Sequence, residues 1–264
     1  VGRCLAAAGA RVLWASEGRS AESAGRAAAA GLEDAGDLGG LARAAEVLLS
    51  VCPPASALAL ARQVQGQGFR GLYVDANAVA PSTAESVAEL FPGAFVDGGI
   101  IGPPPRQPGT TRIYLSGPRA GDVARLFGSG GLEAVALAGG TTAASALKMA
   151  YASWTKGSSA LLLNARALAE QAGVASALEA EWELSQPGTA ARCAREPALN
   201  GPKAWRFVGE MQEIARTFDE AGLPGDFHRG AAEVYSRLAP LRGREASPPS
   251  LEEAMPLITK KPRL

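Results

Sequence analysis

Residues 139–173 read GGTTAASALKMAYASWTKGSSALLLNARALAEQAG, and the reading of this stretch decides the rest. It contains no proline and is long enough for a single extended helix, with Thr141 or Thr142 to cap its start and Gly173 to end it. Leu147, Trp154, Leu161 and Leu168 recur at a spacing of seven, with Ala150 and Ala165 between them, which is the apolar stripe expected of a long buried helix. A second face carries Ser145, Lys148, Tyr151, Ala152, Thr155 and Ser159. It is small and polar, and a single amine projects from it. Lys148 is one of five lysines in the chain and sits between Leu147 and Met149. If its face lines a cleft, desolvation favours the neutral amine and brings it toward the range useful for proton transfer. On an ordinary amphipathic helix the same side chain snorkels to solvent. The helix alone supports either reading.

Upstream of this helix, strand and helix patterns alternate. Ala10–Ser16, Leu32–Gly36, Val47–Val51, Gly71–Asp75, Ala94–Asp97, Thr111–Ser116 and Glu133–Leu137 read as strands, with helical segments between most of them. The strands are continuously apolar, so a parallel sheet covered on both faces is expected. Ligands of such sheets lie beyond the carboxyl ends of the strands, and the loops at Cys52–Ser56, Asn77–Pro81 and Gly98–Pro105 leave from that edge. Downstream of Val174 every segment is helical in pattern: 175–185, a proline-broken stretch over 186–202, 203–221, 227–238 and 251–258. The expected organisation is a Rossmann-like α/β domain over residues 1–138 and an all-helical domain over 139–264, with the long helix as hinge.

Residues 1–9, VGRCLAAAG, read as the body of a helix that runs straight into a strand. In a nucleotide-binding βαβ unit a first strand and a glycine-rich turn precede such a helix, and their backbone amides hold the pyrophosphate. The expected sheet therefore lacks its first strand and phosphate loop. After the Ala10–Ser16 strand, Ser16, Arg19 and Ser20 stand where an adenosine ribose is met. An arginine with hydroxyls suits a 2′-phosphate and favours NADP, with NAD possible, whereas Glu17 argues the other way and a plain exposed turn has the same composition. Asn77 either presents its amide to a ring or carboxamide or serves as a turn residue. Gly98, Gly99 and Ile100 either offer bare backbone N–H groups to an anion such as a carboxylate or mark a close backbone approach.

Composition excludes several classes. The 26 basic and 26 acidic residues balance, with no charged block longer than Lys260, Lys261, Pro262, Arg263, so neither nucleic acid nor a membrane surface is implied and the partner is a small molecule. No apolar run approaches a bilayer span and no leader pattern precedes the first helix, which suggests the cytoplasm. Cys4, Cys52 and Cys193 are odd in number and far apart, and with His228 as the single histidine they form neither a disulfide framework nor a metal site.

Four segments together carry a family resemblance: VDANAVAPSTAESVAELF from Val74, FVDGGIIGPPP from Phe95, GTTRIYLSG from Gly109 and GGTTAASALKMAYASWTKG from Gly139. In order and spacing the chain resembles the β-hydroxyacid dehydrogenases, the group of 3-hydroxyisobutyrate and 6-phosphogluconate dehydrogenases. EWELSQPG, PKAWRFVGEM and AGLPGDFHRGAAEVY, in the helical half, resemble the C-terminal domain of phosphogluconate-dehydrogenase-like NAD-binding proteins of unassigned substrate.

The resemblance implies a nicotinamide-dependent oxidoreductase and a homodimer, with Lys148 in the place of the catalytic lysine. Cys52, Pro53 and Asn77 would lie around the nicotinamide, and Gly98, Gly99 and Ile100 in the substrate-carboxylate loop. The chain departs from the family where a serine is usual in that loop and where Ala152 replaces an asparagine. Tyr151 then either supplies a hydrogen bond to substrate or packs in the hinge, and Trp205, Phe207 and His228 either wall the substrate pocket or belong to the core. The resulting expectation is an NADP-preferring dehydrogenase or reductase of a small hydroxyacid or related carbonyl compound. The alternative is a shortened, non-catalytic relative serving as a dimeric scaffold or weak nucleotide binder.

Overall fold

A computed structural model describes residues 1–128 and 131–260. Lys261 and the residues after it, part of the terminal basic run, lie outside the described residues. The chain divides into two compact units, Val1–Met149 and Ala150–Leu264.

The first unit runs α1 (Gly2–Ala7), β1 (Leu13–Trp14), α2 (Ala21–Ala29), β2 (Glu33–Asp34), α3 (Leu38–Ala44), β3 (Val47–Ser50), α4 (Ala57–Gly66), β4 (Leu72–Asp75), α5 (Pro81–Ala88), β5 (Phe95–Ile101), β6 (Arg112–Ser116), α6 (Ala120–Phe127) and β7 (Glu133–Ala136), and then enters α7 (Ala143–Gln171). Short side chains start several helices. Ser20 accepts the Ser23 N–H at the head of α2, Asp37 accepts the Gly40 N–H at the head of α3, and Pro81 opens α5.

The strands are apolar on both faces, as expected of a covered sheet. Leu72 and Val74 of β4 join Val96, Ile113, Leu115 and Phe127 in one core, while Tyr73, between them, joins Leu48, Val64, Phe91 and Phe95 in the other. Each large side chain so buried contributes about 1.5–3 kcal/mol. The Tyr73 and Phe91 rings stack at 4.2 Å.

The pairing departs from a single parallel sheet in two ways. β1 and β2 form a parallel pair of their own, separate from the five strands ordered β3-β4-β5-β6-β7. Within the five, β3, β4 and β5 are parallel neighbours and β6 pairs with β7 in parallel, but β5 and β6 are antiparallel. The cause lies in the connection: a proline-rich turn over 102–111 reverses the chain directly, with no crossover helix to carry it back.

β5 is also longer than its sequence suggests. Gly98, Gly99 and Ile100, expected in a loop, are strand residues paired with Leu115, Tyr114 and Ile113. Each glycine is crowded from a different side: a Cβ on Gly98 would stand 3.0 Å from the Asp75 carbonyl oxygen and 3.2 Å from the Ala76 Cβ, while Gly99 faces α7. A Cβ on Gly99 would stand 2.8 Å from the Ala144 carbonyl oxygen and 3.1 Å from the Lys148 Cβ.

The second unit contains α8 (Ala175–Ser185), α9 (Thr189–Asn200), α10 (Ala204–Glu220), α11 (Asp226–Leu238) and α12 (Leu251–Thr259), with most of α7. α9 runs unbroken through a buried Pro197, where the sequence suggested interruption. Gly173, at φ 69°, ends α7, and the Val174 N–H reaches back to the Ala169 carbonyl. Phe207 and Tyr235 meet edge to face at 5.2 Å, and the Tyr235 hydroxyl donates to the Lys156 carbonyl at 2.8 Å.

α7 itself is turned the opposite way from expectation. Trp154, Leu161 and Leu168 are 73%, 69% and 68% exposed, whereas Ala144, Ser145, Met149, Ala152, Ser159, Ala160, Leu163 and Ala167 are buried. The small face is the packed one, because small residues allow close helix approach. No helix among the described residues is long and apolar enough to cross a membrane.

Candidate active site

The Lys148 amine, on the second turn of α7, donates to the Ile100 carbonyl at 2.8 Å, and the side chain is part-buried. The start of this helix is held from the sheet, where the sequence offered Thr141 or Thr142 as its cap. The Ser145 N–H and hydroxyl donate to the two Asp97 carboxylate oxygens at 2.7 and 2.6 Å, and the Ala144 N–H donates to the Ser116 hydroxyl at 2.9 Å. Asp97 and Ser116 are cross-strand partners of β5 and β6. That hydroxyl also faces Asp97 at 3.2 Å and the Thr141 carbonyl at 3.0 Å. Burial pushes the Asp97 carboxyl upward, against the downward pull of the donors from Ser145, Ser116 and the Gly98 N–H.

A second polar cluster occupies the ends of β3 and β4. Asn77 is 3% exposed and already committed: its side-chain oxygen accepts the Cys52 N–H at 2.5 Å, its amide nitrogen donates to the Ser50 hydroxyl at 2.9 Å, and its own N–H donates to Asp75 at 2.9 Å. It is a strut that fixes the Cys52–Pro53 loop. Asp75 is opposite Asp97 in the β4–β5 register, and neither is exposed. Desolvation first, then the neighbouring Asp97 charge, raise the Asp75 carboxyl from 3.8 to about 6, opposed by the Asn77 bonds. One Asp75 oxygen and the Tyr73 hydroxyl are buried without a hydrogen-bond partner among the described residues. Burial likewise raises the Cys52 thiol and the Tyr73 phenol.

At the β1–α2 turn, the Ser16 N–H and hydroxyl both reach the Gly36 carbonyl, and the Arg19 N–H donates to the Ser16 carbonyl. Ser20 spends its hydroxyl on the head of α2, where it accepts the Ser23 N–H and faces the Ser23 hydroxyl. Arg19 is exposed and makes no salt bridge among the described residues. The Asp34 carboxyl, held low first by the Gly36 N–H and then by Ser16, shares the turn. The Arg19 charge draws the Cys52 thiol downward, against the burial that raises it. A guanidinium with free donors fits a phosphate, and the neighbouring carboxylate fits a ribose hydroxyl.

The structure thus brings Lys148, Gly99 and Ile100 together, and Cys52 and Asn77 together, with Arg19 in the separate β1–α2 turn. Tyr151 is 47% exposed and belongs to the second unit. In that unit His228 is 8% exposed, its ring lies 4.4 Å from Phe218, and its Nδ1 has no partner. Burial lowers its pKa. Phe207 is buried, and the Arg242 guanidinium covers Trp205 at 4.0 Å. His228 and Phe207 are core residues of the second unit. The residues the sequence reading missed as site members are Asp75, Asp97, Ser116 and Ser145. The available signal was the repeated Val-Asp, at the end of β4 and near the start of β5.

The parallel-dominated sheet with helices, followed by a helical C-terminal domain, is the fold this chain shares with solved structures of 3-hydroxyacid-dehydrogenase type. Residues 169–238 match the family model DUF1932, a domain of unknown function. A conserved hypothetical protein from Sinorhizobium meliloti 1021 is 27% identical over 98% of this chain and 91% of its own, with a TM-score of 0.68. The conserved protein MTH1747, itself described as structurally similar to 3-hydroxyacid dehydrogenases, is 26% identical over 91% of this chain and 92% of its own, with a TM-score of 0.66. The 3-hydroxyisobutyrate dehydrogenase (ygbJ) from Salmonella typhimurium shares the fold at 15% identity over 97% of this chain and 93% of its own, with a TM-score of 0.65. No curated protein sequence matches the chain significantly.

Proposed function

We propose that the protein is a nicotinamide-dependent oxidoreductase of a small hydroxyacid or related carbonyl compound, with NADP preferred over NAD and Lys148 as general acid and base. The observation that carries this reading is the Lys148 amine, held by the Ile100 carbonyl on a helix whose start is tied to the sheet by Asp97. When bound, the cofactor accepts or donates the hydride. Lys148 hydrogen-bonds the substrate oxygen and exchanges its proton, with the Ile100 carbonyl orienting the amine. Cys52, Pro53 and the Asn77 strut shape the loop on the nicotinamide side, and Arg19 with Ser16 meets the adenosine end. Gly98 and Gly99 act through packing, since their backbone is paired with β6.

The test is a panel of hydroxyacids, aldehydes and imines with NADPH and NADH, run on the unsubstituted chain and on Lys148→Ala. Turnover that depends on Lys148 and a reduced or oxidised pyridine supports the reading. Nucleotide binding without turnover on any member would favour the non-catalytic alternative.

A homodimer is part of the proposal. Its support is the outward stripe of Trp154, Leu161 and Leu168, whose spacing of seven suits a helix of a second copy. Sedimentation should give twice the 26.9 kDa chain mass, and Leu161→Asp should shift it to the single chain. A monomer before substitution would remove this part of the reading.

A further inference from the structure

The β5 strand and the first turns of α7 are joined at two points with matching spacing. On the strand Asp97 and Ile100 are three residues apart, and on the helix Ser145 and Lys148 are three residues apart. Asp97 takes Ser145 through two bonds of 2.7 and 2.6 Å, and the Ile100 carbonyl takes the Lys148 amine at 2.8 Å. Between the two points lies Gly99, where the Ala144 carbonyl and the Lys148 Cβ occupy the space that a side chain would need. The position of the amine is therefore set by how the helix start is seated, and the seat is the Asp97 carboxylate.

We propose that Asp97 is a positioning residue for Lys148, which holds the first turn of α7 in register with β5 and supplies the negative charge that steadies the amine against the Ile100 carbonyl. The inference rests on Lys148 being the working amine of the proposed function, although its geometry does not. Charge and seating act together here. An ammonium on the second turn of a helix feels the positive end of the helix dipole, and a carboxylate bonded to the first turn offsets that field. Ser116 supports the arrangement from the neighbouring strand by taking the Ala144 N–H. Asp75, across the strand pair from Asp97, is the other acidic group facing this seat.

Asp97→Asn separates seating from simple packing, because the amide has nearly the same shape but only one acceptor oxygen. It can accept the Ser145 N–H or the Ser145 hydroxyl, and it turns an NH2 toward the other. The experiment is a pH titration of the full 264-residue chain labelled with ε-13C lysine, with the Lys148 signal assigned by Lys148→Arg. In Asp97→Asn the Lys148 titration midpoint should fall by about half a pH unit or more while the other lysines stay in place. An unchanged Lys148 midpoint in folded Asp97→Asn overturns the proposal.

Should Asp97→Asn not fold, Ser145→Ala decides the matter, since it removes one of the two seating bonds and keeps a good helix former. Acylation of Lys148 by a limiting amine reagent should then rise about threefold relative to the other lysines, as a loosened hydrogen bond exposes the amine. No rise overturns the proposal. Neither readout uses turnover, so an inactive enzyme with an Asp97-dependent amine would reject the proposed function and leave this inference standing.

Discussion

The two ends of the candidate site are built differently. At one end Lys148, Ile100, Asp97, Ser145 and Ser116 form a part-buried hydrogen-bonded junction between a central strand and a helix start. At the other, Arg19 stands exposed in a turn, with no ion-pair partner among the described residues and its neighbouring hydroxyls spent on the local backbone and helix cap. A group that must place a proton to within a fraction of an ångström needs a rigid support, whereas one that attracts a phosphate needs only charge within reach. The difference says that removing the amine at the first end should disturb chemistry, that unseating its support should disturb folding as well, and that substitutions at the second end should change only nucleotide preference.

The largest effect tests the built end directly. Lys148→Ala should lower turnover about 10²–10⁴-fold with the fold intact by circular dichroism, as expected for loss of a general acid and base.

The Asp75 carboxyl comes next. Its folded value is raised from 3.8 to about 6, so the folded chain holds this proton more tightly than the unfolded one. The stability this brings is complete below about pH 4 and is lost as pH rises through 6. Asp75→Asn should remove that loss, so that its stability relative to the unsubstituted chain improves by about 3 kcal/mol at most between pH 4 and pH 7 in urea titrations. A constant difference across that range would show that Asp75 does not titrate this way.

Gly99→Ala places a methyl group against the Ala144 carbonyl and should cost about 2 kcal/mol of stability in the same titrations. An equally stable Gly99→Ala would mean that α7 is not seated tightly on β5.

The smallest effect belongs to the open end. Arg19→Ala should reduce the preference for NADPH over NADH by about tenfold, measured as the ratio of their dissociation constants, with no change in stability. An unchanged ratio would leave the 2′-phosphate contact without support.

Much of the α/β order could be read from the chain, because apolar runs stopped by Pro53, Pro81 or glycine turns announce themselves locally. The site was legible where a side chain is unusual for its place, as Lys148 is between Leu147 and Met149. It was not legible where a long-range approach decides the structure. Gly98 and Gly99 look like loop residues because glycine weakens strands, and only the nearness of Asp75 and Ala76 to the first and of α7 to the second explains them. The cap of α7 comes from Ser116 and Asp97, 28 and 48 residues before the groups they bond, while the adjacent threonines are better candidates on sequence alone. Trp154, Leu161 and Leu168 show the same period whether they face a core or a second molecule, so periodicity could not tell that they point outward.

Chemical rescue of Lys148→Ala is the most direct measurement of the central claim. On whichever substrate the panel identifies, adding methylamine should restore turnover in a saturable way. Full turnover by Lys148→Ala without any added amine would contradict the assignment of Lys148 as the group that moves the proton.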